Sequence, residues 1–299
     1  MKKLLIASVL LLIAAFAFAT GTTEVEELGT EENPIVWALV PSGETQAILA
    51  GADVLADMLE METGYIFEAI VATDYAGVIE ALSSDPPTAH MAALNTFGAI
   101  LASERGVAEV GLIAVRRGDP FYGGQFVVAA DSGIESVADL AGMTFARPDP
   151  NSTSGWVVPS IVMRANGVDP DSDIEVVDAG GHSGVISAVY NGSAQAGASF
   201  VDARGTIAED NPDVEEQVLV LEEYGPIPND GIQYSTMMPE DMRDAITQAF
   251  LDIADTEAGV EAMVSVYEWD AIIEQDDSFY DPFRQVLEAA GVDLSDFID

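Results

Sequence analysis

The sequence predicts an α/β protein built as two lobes, each a doubly wound sheet, joined by two crossing segments. Three observations predict it. Short apolar strands alternate with helices from residue 34 onward, the alternation begins again mid-chain, and beyond Pro226 the chain turns into long amphipathic helices. Strands alternating with helices call for a parallel sheet covered on both faces.

Taken in order, Ile35 to Val40 is a short apolar strand, followed by the turn Pro41-Ser42-Gly43-Glu44. A helix then carries Ile48, Ala52, Leu55 and Leu59 on one face and ends near Gly64. Phe67 to Val71 reads as a second strand and Tyr75 to Leu82 as a second helix. In the middle, Phe126 to Ala130 is strand-like, Val137 to Leu140 a short helix, and Thr144 to Ala146 another strand. Ser152 to Ala165 follows as helix, Ile174 to Val177 as strand, Gly184 to Tyr190 as helix and Ala196 to Val201 as strand. Helices are expected over Asp241 to Ala254, Gly259 to Ile273 and Pro282 to Ala290. The crossings fall near Gly123–Val127 and Tyr224–Asp230. Residues 34–125 and 228–299 then form lobe 1, and residues 126–227 lobe 2.

The N-terminus carries an address. Lys2 and Lys3 precede an apolar run from Leu4 to Phe18, and Ala17-Phe18-Ala19 leads into polar sequence. That is the layout of a secretory signal over residues 1–19, and the run is short of the roughly 20 residues a spanning helix needs. Thr20 to Asn33 is polar, acidic and aperiodic, a flexible leader. The exported chain has no cysteine. Disulfides, thiolate metal sites and a lipid-modified cysteine are therefore excluded, so the protein is expected to be exported without a lipid anchor.

Charge narrows the partners. Lys2 and Lys3 are the only lysines, leaving eight arginines against 52 carboxylates. Such a field repels nucleic acid and anionic membranes. The acids are scattered among apolar residues rather than gathered in a tail, as on a surface adapted to high salt. A monomer is expected, and no cofactor is implied.

Three kinds of strand end could hold a small ligand. Asp149-Pro150-Asn151-Ser152-Thr153-Ser154-Gly155 follows a strand and opens a helix, where hydroxyls and free backbone N–H groups make an anion site. Pro159 falls inside that helix and should perturb it. Gly180-Gly181-His182-Ser183-Gly184 frees the backbone beside a histidine able to donate to an anion. Asp74-Tyr75, Asn95-Thr96 and Asp202 occupy further strand ends. A carboxylate beside an anion is tolerated only if a proton lies between them, so Asp202 would favour a protonated phosphorus oxyanion over sulfate.

Several segments recur in a familiar order: Leu94-Asn95-Thr96-Phe97, Ala114-Val115-Arg116-Arg117-Gly118, Asp149 to Gly155, Gly180-Gly181-His182, Ala188-Val189-Tyr190-Asn191-Gly192, Asp202-Ala203-Arg204 and Ile227-Pro228-Asn229-Asp230. Over residues 34 to 290 the chain resembles the phosphate/phosphite/phosphonate-binding proteins of ATP-driven (ABC) importers. The resemblance implies the two-lobed type II periplasmic-binding fold, reversible capture of a phosphorus oxyanion and docking on an ABC permease in the membrane. It puts ligand contacts on Tyr75, Ser152, Thr153, Ser154, His182 and Asp202. Where the family often has a tyrosine, this chain has Ala99, which alters one wall of the pocket. A sensor's ligand-binding module is the alternative. A phosphoester hydrolase is a weaker one, since there is no G-x-S-x-G elbow and only two histidines, His90 and His182.

Overall fold

A computed structural model describes residues 27–297. The expected signal and most of the leader lie outside the described residues. The first sheet opens with β1 (Ile35–Leu39), α1 (Thr45–Thr63), β2 (Phe67–Val71), α2 (Tyr75–Ser83), β3 (Met91–Ala93), α3 (Thr96–Glu104) and β4 (Ala108–Val115). The second holds β5 (Phe121–Ala129), β6 (Thr144–Arg147), α4 (Val158–Ala165), β7 (Glu175–Asp178), α5 (His182–Tyr190), β8 (Ala196–Phe200), a short α6 (Val214–Gln217) and β9 (Val218–Pro228). The chain then returns through β10 (Gly231–Ser235), α7 (Glu240–Ala254), α8 (Glu257–Tyr267), β11 (Ala271–Glu274) and α9 (Asp281–Ala289).

The sheet orders are β11-β4-β10-β3-β1-β2 and β7-β6-β8-β5-β9. β1 runs parallel to both β2 and β3, as the alternation of strand and helix requires. The sheets are nonetheless mixed. β10 is antiparallel between β3 and β4, β11 is antiparallel on β4, and β5 is antiparallel to both β8 and β9.

Each sheet is covered on both faces. In the first, Trp37, Leu55, Leu59, Phe250, Met263 and Trp269 fill one side, and Ile79, Leu82, Phe97, Ile100, Phe283 and Leu287 the other. In the second, Phe126, Phe145 and Met163 lie on one side and Val127, Val185, Ile186 and Val189 on the other. Strands buried on both faces read as continuous apolar runs, which is why Ile35 to Val40 shows no alternation.

Sheet membership changes twice, between Val115 and Phe121 and between Pro228 and Gly231. The first passage precedes Gly123, because β5 already pairs from Phe121 with Pro228 of β9. The helix expected over Gly259 to Ile273 stops at Tyr267. Glu268 adopts a left-handed conformation (φ 57), and Ala271 to Glu274 pair with β4 as an edge strand. Neither glycine nor proline marks that reversal in the sequence. Pro159 is accommodated by a π-helical turn over Thr153–Val157, after which it sits in the first turn of α4. Its missing N–H leaves the preceding turn one helical donor short, and Tyr224 Oη donates to Ser154 O there.

Candidate functional site

The cleft between the two sheets is lined by strand ends and helix starts from both. Ser152 caps the turn that opens α4, its Oγ accepting from Gly155 N–H at 3.2 Å. Gly155 is required there, since a Cβ would lie 2.2 Å from Pro148 Cδ. Thr153 and Ser154 begin the helical turn, and first-turn N–H groups have no acceptor within a helix. The three side chains are almost fully buried. Thr153 Oγ1 accepts from Phe97 N–H and from Asn95 Nδ2, both at 2.9 Å. With both lone pairs filled from the first lobe, its own hydrogen is left to donate. The turn therefore offers hydroxyls and amides, a donor set matched to an oxyanion.

His182 opens α5. Its N–H donates to Ser42 O of the first lobe at 2.9 Å, and Nδ1 lies 2.8 Å from Ser199 Oγ. Gly181 lets the backbones meet: at φ 157 a Cβ would stand 3.3 Å from both Pro41 O and Ser42 O. Burial, reinforced by the nearby Arg116 cation, pulls the imidazole pKa down to about 3. Burial also lowers His90, whose Nδ1 accepts from Val36 N–H at 3.0 Å. The His182 ring is neutral when folded and takes up a proton readily when unfolded. Its stabilising contribution is thus complete above pH 6.5 and is lost as pH falls below it. Between pH 6.5 and 5, ligand-free stability should fall by up to about 1.4 kcal/mol per pH unit on its account. Denaturant melts across that window on the parent and on His182→Gln read this slope. An identical slope in the two would mean that His182 is not held neutral by the fold.

Tyrosines close the cleft. Tyr75, at the start of α2, lies beside the Ser152 side chain, and Tyr122, near the start of β5, beside those of Ser154 and Thr96. Burial raises both phenols, so they remain neutral donors. Beside them lies a half-buried ion pair. Arg116 Nη1 and Nη2 both bond the Asp230 carboxylate, and Trp269 Nε1 donates to Asp230 Oδ2 at 3.0 Å. Arg116 is itself fixed by Tyr267 O at 2.9 Å and Asn229 Oδ1 at 2.8 Å. Outside Tyr75 a cavity of about 410 Å³ opens to solvent between Asp74, Asp149 and Asp178.

Residues 37–280 match a family of ABC transporter phosphonate periplasmic substrate-binding proteins. The chain belongs to this family. The phosphate-import protein PhnD of Mycolicibacterium smegmatis is 30% identical over 202 residues, 63% of this chain and 62% of that protein. The phosphonates-binding periplasmic protein of Escherichia coli is 28% identical over 207 residues, 68% of this chain and 60% of that one. The match thus spans about three fifths of the length of these curated relatives. The crystal structure of a binding protein component of an ABC phosphonate transporter from Pseudomonas aeruginosa has a TM-score of 0.79. It is 22% identical, with 86% of this chain and 87% of that one covered. The fold is the type II periplasmic-binding arrangement.

Of the residues expected to contact a ligand, Tyr75 lies beside Ser152 in the buried turn with Thr153 and Ser154, and His182, equally buried, meets Ser42 and Ser199 at the start of α5. Asn95 sits beside them as a strut: it caps α3 and donates to Asn151 O at 2.8 Å and to Thr153 across the cleft. Asp202 stands apart. Its side chain is 56% exposed, and its carboxylate is bonded to Arg117 at 2.6 Å, so an oxygen expected to meet a protonated ligand is already engaged. Ala99 packs in the core of the first lobe. Arg116, Tyr122 and Asp230 are the additions. Among the described residues, no group of three or more His, Asp or Glu is placed to hold a metal ion, and no helix is long and apolar enough to cross a membrane.

Proposed function

We propose that this protein captures a phosphorus oxyanion outside the cytoplasm and delivers it to an ATP-driven importer. The observation that carries the reading is the buried Ser152-Thr153-Ser154 turn beside Tyr75, in a chain of the phosphonate-binding family. The relatives named for phosphate import and phosphonate binding support the ligand class. Capture needs no chemistry. An anion touching both lobes stabilises the closed form by the contacts it adds there, and the closed form is what a permease can recognise. Ser199 is fully buried and its Oγ is engaged with His182, which favours a positioning role over that of a nucleophile.

A thermal-shift panel tests the reading with phosphate, phosphite, methylphosphonate and sulfate on the exported chain. A ligand at 100 times its dissociation constant adds about 2.7 kcal/mol, roughly 5–10 °C for a chain of this size. At least one phosphorus ligand should reach that shift while sulfate at equal concentration does not. A panel in which no phosphorus ligand raises the melting temperature contradicts the proposal.

A further inference from the structure

A neutral imidazole carries its proton on one of two nitrogens, and the surroundings of His182 decide which. Gly197 on β8 faces α5, since a Cβ there would lie 2.6 Å from Val185 Cγ1. Ser199, two residues on, shares that side of the strand and meets the first turn of α5, its Oγ 2.8 Å from His182 Nδ1. Ser199 is completely buried, and among the described residues its hydroxyl makes no other hydrogen bond. Its register partner on β5, Gln125, is buried as well and makes no bond to that hydroxyl.

Two arrangements are open to the pair. With the proton on Nδ1, the ring donates to Ser199 Oγ, and the serine hydrogen is left without an acceptor where water does not reach. With the proton on Nε2, Ser199 donates to Nδ1 and both groups are satisfied. An orphaned buried hydroxyl shifts such a balance by at least about fivefold. The doubly protonated ring does not compete near neutral pH, because burial and the Arg116 cation hold the imidazole neutral. The residue is fixed besides. Its backbone N–H is held by Ser42 O, and the Phe200 ring packs edge-on against the imidazole, with centroids 4.9 Å apart. Among the described residues Nε2 has no partner, so it is the ring atom left for a ligand.

Resting on the phosphorus-oxyanion reading above, we propose that Ser199 is a positioning residue for capture. Its hydroxyl donates to Nδ1 and fixes His182 as the Nε2–H tautomer, which presents a neutral N–H donor to an oxygen of the ligand.

Nitrogen-15 NMR of the untagged exported chain tests this. The chain has only two histidines, and His90, whose Nδ1 accepts from Val36 N–H at 3.0 Å, is the internal reference. In the ligand-free parent near pH 7 the His182 proton should sit on Nε2, with Nδ1 showing the shift of an accepting nitrogen. Ser199→Ala should raise the Nδ1–H share at His182 at least about fivefold and leave His90 unchanged. A purely structural part for Ser199 would lower stability without moving that balance. By calorimetry, Ser199→Ala should also weaken the best of phosphate, phosphite and methylphosphonate at least about fivefold. Ser199→Thr restores the hydroxyl and should return both readings to within about twofold of the parent. A proton on Nδ1 in the parent overturns the proposal, as does a parent-like tautomer balance or parent-like affinity in folded Ser199→Ala. The parent spectrum alone decides the tautomer if neither variant folds. Failure of all three ligands to bind the parent overturns the functional reading instead, and the ligand-free spectra still decide where the proton sits.

Discussion

Thr153→Val is expected to weaken binding of the best phosphorus ligand by about 3 kcal/mol, more than a hundredfold. Two losses combine. The hydroxyl's own hydrogen is the one left for the anion, and a hydrogen bond to a charged group contributes about 1.5–3 kcal/mol. The same oxygen accepts from Phe97 N–H and Asn95 Nδ2 of the first lobe, so its removal leaves both donors unsatisfied in the closed form. Thr153→Ser restores the hydroxyl and should recover affinity to within about tenfold of the parent. Calorimetry on the three proteins reads the effect. Parent-like affinity in Thr153→Val would reduce the residue to a helix-turn position with no part in capture.

Salt should produce the largest change in stability. Among the described residues, seven of the eight arginines are in ion pairs with carboxylates, and with 52 acids in the chain most carboxylates have no arginine to pair with. Raising salt from 0.1 M to 1 M shortens the screening length from about 10 Å to about 3 Å. The self-repulsion of the compact state is relieved much more than the exposed pairs are weakened. The melting temperature is expected to rise on the order of 10 °C between 0.1 M and 2 M sodium chloride. Scanning calorimetry across that range tests it, and a flat curve would remove the salt-adapted reading of the surface while leaving the binding site untouched.

The turn Asp149 to Gly155 and the Gly180-Gly181-His182 corner were legible in the sequence because their chemistry is local. Small hydroxyl residues and glycines after a strand specify a helix start with exposed amides whatever the rest of the chain does. The Arg116–Asp230 pair was not legible as a site feature, since its partners lie 114 residues apart and meet only where the chain passes between sheets. The clue available was compositional: Arg116 and Arg117 are a quarter of the chain's arginines, adjacent, and followed by glycine. Asp202 misled for the converse reason. Its place at a strand end suggested a ligand contact, and Arg117 from the first passage between sheets holds its carboxylate. The strands β9, β10 and β11 depend on tertiary pairing in the same way. Val218 to Pro228 is mostly half-buried or exposed and finds its register only along β5, and Ala271 to Glu274 continues a helical pattern until β4 offers an edge.

Whether the Ser152-Thr153-Ser154 turn holds a phosphorus oxyanion between the lobes is tested most directly by isothermal titration. The parent and a Ser152→Ala/Thr153→Val double variant would be titrated with phosphate, phosphite and methylphosphonate. The parent should bind at least one of the three at one ligand per chain, and the folded double variant should bind that ligand at least about a thousandfold more weakly. Binding of none of the three by the parent, or undiminished binding by the double variant, would contradict it.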